Sequence, residues 1–291
     1  MDLLDKGMNE KYILITGASK GLGCFLAQHL AHSGFNLCLV ARNEILLRKL
    51  STKLSSETGR KIIPLVCDLA DPEAVENLIS TIKTDLPSLE TIINNAASHG
   101  PIGYLWENDW SLWQEVIQVN LLAPVALCRG LIPMLQESKG SIVNLSGGGA
   151  VGPRANFSAY ATAKAGLVRF SETLADEAKA FGVRVNCIAP GAMKTALLSE
   201  IIEKGAEIAG QREYDLAEKL FAEGGTTMNQ VSDLVHFLIA DKGSGITGKL
   251  ISAVWDKWKD WPEHLEELEN SDAYTLRRIA GRDRGFDWGD V

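Results

Sequence analysis

Cysteine is scarce in this sequence, and the few cysteines form no pattern. The chain of 291 residues contains five: Cys24, Cys38, Cys67, Cys128 and Cys187. No two of them form a C-x-x-C pair, which argues against a disulfide framework and against a cysteine zinc site. The five histidines are equally dispersed, so we expect no bound metal.

Long hydrophobic runs and a secretory leader are also missing. The longest apolar runs are the size of a strand, well short of the roughly 18–20 residues that a membrane-spanning helix needs. Residues 1–12 lack the basic start and the apolar stretch of a secretory signal. We therefore expect a cytoplasmic protein that does not bind a membrane.

Basic residues are outnumbered by acidic ones, and they do not cluster in any part of the sequence. The sequence has 29 basic and 37 acidic residues, for a net charge of −8. Residues 198–223 carry seven acidic and three basic residues, and residues 254–291 carry ten and six, so the rest of the chain is neutral. Without a basic stripe, nucleic acid is not expected as a partner.

What the sequence does contain is an alternation of short apolar runs with longer helical patterns. The runs that indicate strands are 12–16, 36–41, 62–67, 91–94, 141–146, 183–188 and 249–253. They are almost continuously apolar, as strands covered on both faces should be. The alternation predicts an α/β fold, a doubly wound parallel sheet of seven strands with helices on both faces, in one domain.

Two segments stand outside this alternation. Residues 196–228 form a polar, acidic helical insertion, and residues 254–291 extend past the last predicted strand. The tryptophans fall in two groups, Trp106, Trp110 and Trp113 at helical spacing, and Trp255, Trp258, Trp261 and Trp288 in the extension. Packing in the core or at an interface is one interpretation of these rings, and the lining of a substrate pocket is the other.

The first predicted strand leads into a glycine-rich turn that opens a helix. The turn consists of Gly17, Ala18, Ser19, Lys20, Gly21, Leu22 and Gly23. Glycines permit a tight turn close to phosphate oxygens, and the N-terminus of the helix offers free N–H groups. This position at the start of a βαβ pattern predicts a dinucleotide-binding domain over residues 1–253, with 196–228 as a lid over the substrate.

A second motif, Y-x-x-x-K, is formed by Tyr160 and Lys164. Residues four positions apart share one face of a helix, so the phenol and the ammonium group lie in one site. A free tyrosine has a pKa of about 10. The lysine would lower that pKa, as would a positive charge on the bound dinucleotide, so that the phenol can exchange a proton with a substrate oxygen near neutral pH.

With these motifs, residues 11–253 resemble the short-chain dehydrogenase/reductase family. Further matches in the same order are Asn94-Asn95-Ala96-Ala97, Asn120, Asn144-Leu145-Ser146, and Pro190-Gly191 followed by Thr195. Ala97 stands where the family has glycine. The resemblance implies that Tyr160 is the catalytic acid or base, that Lys164 also binds the nicotinamide ribose, and that Asn120 supports a proton relay. It further implies cofactor contacts from Asp68, Leu69, Asn95, Ala96, Pro190, Gly191, Met193 and Thr195.

The end of the second strand indicates which nicotinamide cofactor is bound. An NAD site needs an acidic residue there, to bind the ribose hydroxyls, and none is present. Arg42 follows the strand instead, and together with Lys20 it can pair with a 2′-phosphate. In the family, basic residues at these two places are typical of NADP(H), which is the cofactor that we expect.

One departure from the family concerns the substrate site. The family has a serine 13 positions before the tyrosine, and this chain has Gly147 there. Ser146, the backbone N–H groups of residues 147–149, or Ser158 could replace its hydroxyl, and we favour the first two equally. Ser146 and Gly147 are therefore the candidate substrate residues.

The resulting hypothesis is an NADP(H)-dependent oxidoreductase that interconverts a carbonyl and an alcohol. Three consecutive glycines suit a sugar or another polyhydroxylated substrate. One alternative is a 3-oxoacyl thioester reductase, although the acidic insertion would repel an acidic carrier protein. An alternative of another class is a catalytically weak NADP-binding sensor or scaffold, because the serine is missing. The resemblance also implies a homodimer or homotetramer, paired through the helices that carry Asn120 and Tyr160.

Overall fold

A parallel sheet of seven strands forms the centre of the protein, as the alternation predicts. The strands are β1 (Tyr12–Thr16), β2 (Asn36–Ala41), β3 (Ile62–Val66), β4 (Leu89–Asn94), β5 (Ser141–Leu145), β6 (Arg184–Ala189) and β7 (Leu250–Ser252). Their order in the sheet is β3-β2-β1-β4-β5-β6-β7, and every neighbouring pair is parallel. The order reverses between β1 and β4, and in such sheets a ligand crevice opens at the carboxyl ends of the strands around this point.

The computed structural model describes residues 11–240, 243 and 245–288. The first ten residues and the last three, which the domain boundaries predicted from the sequence include, lie outside the described residues. Within the described range, the strand bounds differ from the predicted ones by two residues at most.

Helices cover both faces of the sheet. They are α1 (Gly21–His32), α2 (Glu44–Thr58), α3 (Pro72–Asp85), α4 (Trp110–Ile117), α5 (Ala123–Ser138), α6 (Ser158–Ala178), α7 (Ala196–Ala209), α8 (Gln211–Glu223), α9 (Met228–Ile239) and α10 (Leu265–Glu269). One apolar core joins the sheet to α1, α2 and α9, and a second joins its other face to α3, α5 and α6. The doubly wound arrangement is therefore confirmed.

The start of α3 shows how local sequence sets these elements. The Asp71 side chain accepts hydrogen bonds from the backbone N–H groups of Glu73 and Ala74. Pro72 occupies the first helical turn, where its missing N–H group is not needed. An aspartate that caps and a proline that follows are sufficient to begin the helix at the predicted place.

The helical stretch Trp110–Ser138 is longer and more apolar than the sequence analysis allows. At 29 residues it is long and apolar enough to cross a membrane, by length and composition alone. It corrects the expectation that every apolar run is strand-sized, because a π-helical turn at Gln118–Leu122 joins α4 and α5 into one helix. Its buried side packs on the sheet, α3 and α6, as in other layered α/β proteins.

The extension after β7 packs back onto the domain. Trp258 and Trp261 are buried, which confirms the packing interpretation for these two rings. The Leu250 N–H group of β7 donates a hydrogen bond of 2.8 Å to the Tyr274 carbonyl. Lys249 donates from its ammonium group to two further carbonyls of the extension. The extension therefore covers the outer edge of the sheet at β7.

Candidate active site

A cavity of about 850 Å³ lies at the carboxyl ends of the strands. Every cofactor residue predicted from the sequence lines it: Gly17, Ser19, Lys20, Gly21, Leu22, Gly23, Arg42, Asp68, Leu69, Asn95, Ala96, Tyr160, Lys164, Pro190, Gly191, Met193 and Thr195. Ser146 and Gly147 line it too. The topology of the sheet thus brings together residues that are spread over most of the chain.

The glycine turn forms a cradle for phosphate groups. Gly17 has a φ of +67°, a backbone conformation that other residues rarely adopt. A Cβ atom on Gly23 would lie 2.3 Å from the Gly17 carbonyl oxygen, so only glycine fits there. Lys20 precedes α1, and no side chain caps that helix. The uncapped N–H groups at its start are available to a dinucleotide, and the turn therefore fits the expected cofactor.

Asn95 fixes this cradle to the end of β4. Its side-chain amide donates a 2.8 Å hydrogen bond to the Thr16 carbonyl at the end of β1. The Thr16 hydroxyl accepts in turn from the backbone N–H groups of Asn95 and Ala96. These bonds hold the end of β1 and the segment after β4 together at the base of the cavity.

Lys20 and Arg42 lie on one wall of the cavity, as the sequence analysis expects. The Arg42 Nη1 atom is 3.8 Å from Asp68 Oδ2, and both side chains are largely exposed. A salt bridge of this length between exposed groups contributes little to folding. The guanidinium group thus remains available for an anionic ligand.

Tyr160 and Lys164 project from the first turns of α6 into the same cavity. Lys164 is 1% exposed, and its Nζ atom donates a 2.7 Å hydrogen bond to the Leu145 carbonyl. Burial lowers the pKa of Lys164 to about 8. Its Nζ atom lies 5.7 Å from the centre of the Tyr160 ring, so the two polar side chains share one site.

The sequence predicts that the pKa of Tyr160 is lowered, but in the structure it is raised. Burial raises the pKa of this phenol in the protein without ligands, and the positive charge of Arg154 acts in the opposite direction. The prediction considered Lys164 and the nicotinamide ring but not the desolvation of the ring, which is 6% exposed. Arg154 is thus a cation near the phenol that the motif did not reveal.

Asn120 lies behind the cavity wall and not in it. It sits in the π-helical turn and is fully buried. Its side chain accepts from the Ser98 N–H group at 2.9 Å and donates to the Ser98 carbonyl at 2.8 Å. Both ends of the amide thus hold the segment after β4 in place, and a role in a proton relay stays a prediction.

The space of the missing serine is taken by the tyrosine itself. A Cβ atom on Gly147 would lie 2.2 Å from the Tyr160 hydroxyl oxygen. Ser146, which is 4% exposed, lines the cavity, and its hydroxyl has no hydrogen-bond partner among the described residues. Ser158 instead accepts a hydrogen bond from the Trp113 indole and does not line the cavity. Of the two serines considered, only Ser146 lines the cavity.

Two side-chain pairs that the sequence analysis missed connect the insertion 196–228 to residues that pack against Tyr160. The first joins Arg154 to Glu213 of α8, with the Arg154 Nε and Nη2 atoms 2.9 and 2.8 Å from Glu213 Oε2. Both side chains are mostly buried and line the cavity. The guanidinium carbon lies 5.6 Å from the centre of the Tyr160 ring.

The second pair joins His99 to Glu200 of α7, with His99 Nδ1 3.3 Å from Glu200 Oε2. The His99 ring meets the Tyr160 ring edge to face, with 4.9 Å between their centres. Burial lowers the pKa of His99. No periodicity or motif links these distant residues in the sequence, so only the folded chain reveals the pairs.

Comparisons with known proteins agree with this geometry. The family model of the short chain dehydrogenases matches residues 11–206. The uncharacterized oxidoreductase YciK of Escherichia coli (strain K12) is 36% identical over 193 residues, which cover 65% of this chain and 76% of that protein.

Two crystal structures are similar to the whole domain. A short chain dehydrogenase from Shigella flexneri 2a, complexed with NADP, has 31% identity and a TM-score of 0.73, and the match covers 84% of this chain and 97% of that one. The L-sorbose reductase of Gluconobacter frateurii, complexed with NADPH and L-sorbose, has 26% identity and a TM-score of 0.74 over 84% and 95% of the two chains. The fold, the site and the family model lead to one conclusion: this chain belongs to the short-chain dehydrogenase family, whose members are oxidoreductases.

Proposed function

We propose that the protein is an NADP(H)-dependent oxidoreductase that interconverts a carbonyl group and an alcohol. The observation that carries this proposal is the position of Tyr160 and Lys164, which line the same cavity as the phosphate-binding turn. The turn fixes one end of a dinucleotide, and the tyrosine stands where the other end meets a substrate. A solved relative that is complexed with NADP supports the choice of cofactor.

The residues that would hold NADP(H) fall into groups according to the part of the cofactor that they bind. The N–H groups of the glycine turn bind the diphosphate, and Lys20 and Arg42 pair with the 2′-phosphate. Lys164 binds the nicotinamide ribose. The remaining contacts come from Asp68, Leu69, Asn95, Ala96, Pro190, Gly191, Met193 and Thr195. Bound NADPH supplies the hydride that reduces the carbonyl carbon.

Tyr160 and Ser146 act on the substrate oxygen. In reduction, the Tyr160 hydroxyl donates its proton to the oxygen, and in the reverse direction the phenolate takes a proton from the alcohol. The Ser146 hydroxyl donates a hydrogen bond to the same oxygen, which would satisfy a buried group that otherwise lacks a partner. Lys164, one helical turn from Tyr160, favours the phenolate through its positive charge.

We propose a sugar or another polyhydroxylated compound as the substrate. Gly148 contributes no side chain to the cavity wall beside the tyrosine, and the Arg154–Glu213 pair adds polar groups to that wall. Trp255, at the start of the extension, lines the same cavity and offers an aromatic face to the C–H groups of a sugar ring. Similarity to an L-sorbose reductase supports this class of substrate.

The protein would act in the cytoplasm as a homodimer or homotetramer. Exposed apolar side chains near the long helix support self-association: Tyr104, Leu105, Trp106, Trp110, Leu112 and Leu122. Monomeric proteins rarely expose so many large apolar groups close together. Light scattering of the purified protein measures the assembly state directly, and a monomer at micromolar concentration would contradict this proposal.

The activity is tested by following NADPH absorbance with ketoses, small hydroxyketones, 3-oxoacyl thioesters and quinones. We expect consumption of NADPH with at least one hydroxylated ketone. Activity confined to the thioesters would replace the proposed substrate class. Tight NADPH binding without turnover of any compound would indicate a sensor or scaffold instead of an enzyme.

A further inference from the structure

The Arg154–Glu213 ion pair leaves one donor group and one acceptor atom unused. The Nε and Nη2 atoms of Arg154 both lie on a single carboxylate oxygen, Oε2 of Glu213. In the part of the chain that the structure describes, neither Arg154 Nη1 nor Glu213 Oε1 has a hydrogen-bond partner. Although the side chains are only 12% and 19% exposed, neither of these two atoms is among the buried polar atoms without a partner, so a ligand in the cavity can reach both.

This unused edge of the pair lies beside the reacting end of the tyrosine. The Arg154 guanidinium stacks 3.8 Å from the centre of the Phe157 ring and 5.6 Å from that of Tyr160. Its Nη1 atom is 3.7 Å from the place where a Cβ atom of Gly148 would stand. Gly148 adjoins Gly147, whose own Cβ position is 2.2 Å from the Tyr160 hydroxyl oxygen. The free Arg154 Nη1 group therefore lies beside Gly148, and the neighbouring Gly147 contacts the Tyr160 hydroxyl that would transfer the proton.

The net charge of the pair limits what can bind to it. Glu213 neutralises Arg154, so a carboxylate or phosphate placed there would meet a negative charge at hydrogen-bond distance. A neutral hydroxyl group fits better, because it can accept from a guanidinium N–H and donate to a carboxylate oxygen at the same time. A hydrogen bond to a charged partner is also stronger than one between neutral groups.

We propose that Arg154 and Glu213 form the subsite that recognises a hydroxyl group on the carbon next to the substrate carbonyl. The hydroxyl accepts from Arg154 Nη1 and donates to Glu213 Oε1. This inference rests on the proposed function and makes it more specific, since it assigns the discrimination between an α-hydroxyketone and a plain ketone to two residues. Because Glu213 belongs to α8, the insertion supplies half of this subsite.

The test compares two substrates that differ by one hydroxyl, 1-hydroxybutan-2-one and butan-2-one. The ratio of their kcat/KM values isolates the hydroxyl, because a general disturbance of the insertion slows both reactions alike. We expect the wild-type protein to prefer the hydroxyketone. Glu213→Gln and Arg154→Met should each reduce this ratio about ten-fold or more. Glu213→Gln keeps the size of the side chain, and it directs an amide donor where the hydroxyl needs an acceptor.

Glu218→Gln is the matched control on the same helix. Glu218 accepts a hydrogen bond from Tyr214 and does not line the cavity, so the substrate ratio should not change. An equal loss of rate on both ketones in Glu213→Gln and Arg154→Met would overturn the inference and leave the pair a purely structural contact. Turnover by the wild-type protein of neither these two ketones nor any ketose would contradict the proposed function itself.

Discussion

The two walls of the active-site cavity are built in different ways. The cofactor wall consists of residues 17–23, 42, 68–69 and 95–96, which follow directly after β1 to β4. The lid wall consists of His99, residues 147–149, Arg154 and the inner sides of α7 and α8. The first is mainly backbone at strand ends, whereas the second is made of side chains from distant segments that meet only in the folded protein.

This difference determines what each wall can recognise. On the cofactor wall, the Gly17 carbonyl leaves no space for a side chain at Gly23, which is six residues away, and Asn95 and Ala96 after β4 complete the packing around the turn. On the lid wall, Gly147 is constrained by Tyr160, and Arg154 is paired with a residue 59 positions away. A backbone cradle suits a ligand shared by a whole family, and paired side chains suit a substrate that differs between members.

The largest expected effect is the loss of kcat in a variant that changes the lid side of the cavity and leaves the cofactor wall intact. Tyr160→Phe removes the proton donor and should lower kcat by about 10²–10⁴-fold. NADPH affinity, measured by fluorescence titration, should change little, since the cofactor wall is intact. Tyr214→Phe, on the exposed side of α8, is the control and should retain activity. If Tyr160→Phe kept near wild-type turnover, proton transfer by this residue would be ruled out.

Ser146→Ala tests the lid wall at its smallest polar group. If the hydroxyl supports the substrate oxygen, kcat should fall by about 10²–10³-fold. Thermal stability should not decrease, because the hydroxyl has no partner among the described residues and its removal breaks no hydrogen bond. Ser158→Ala, at a hydroxyl bonded to Trp113 outside the cavity, should keep its kcat. If Ser146→Ala left kcat unchanged, the backbone N–H groups would be the donors to the substrate oxygen instead.

The same contrast explains how much could be predicted from the sequence. The seven strands were predictable because each is a short apolar run, and all but the two edge strands β3 and β7 are buried along most of their length. The phosphate turn was predictable because its glycines lie within seven residues of one another. The cofactor residues followed from the strand ends and the family resemblance together. The contacts of Arg154 with Glu213 and of His99 with Glu200 were not predictable, since neither partner lies near the other in sequence.

The pKa of Tyr160 was missed for a related reason. The sequence shows which charges are near the phenol along one helix, but not how far the ring is removed from water. Ile102, Phe157, Leu198 and Ile201 pack with Tyr160 in one apolar cluster, and two of them belong to α7. Burial by a separate segment is a tertiary effect, and no periodicity within α6 reports it.

Arg42→Asp tests the cofactor wall alone. The carboxylate would repel the 2′-phosphate of NADPH and could bind the free ribose hydroxyls of NADH. We expect the ratio of kcat/KM for NADPH over NADH to fall by about 10–100-fold, the loss of one charge-assisted contact. Arg48→Asp, on the exposed side of α2 and paired with Glu44, should not alter the ratio. If Arg42→Asp left the selectivity unchanged, this arginine would not be the residue that selects NADP(H).

Gly147→Ala is the smallest change and tests whether the lid wall needs glycine for space. The new Cβ atom would stand 2.2 Å from the Tyr160 hydroxyl oxygen, and the buried ring has little room to retreat. Overpacking of this kind costs about 1–3 kcal/mol, so we expect lower thermal stability and a loss of roughly ten-fold in kcat. Gly152→Ala, in the same loop with nothing within 4 Å of its Cβ position, should behave like the wild type. Gly147→Ser should lose activity as well, because its hydroxyl arrives on the same obstructing carbon. A gain in kcat on simple ketones would show instead that the site lacks a hydrogen-bond donor and has space to accept one.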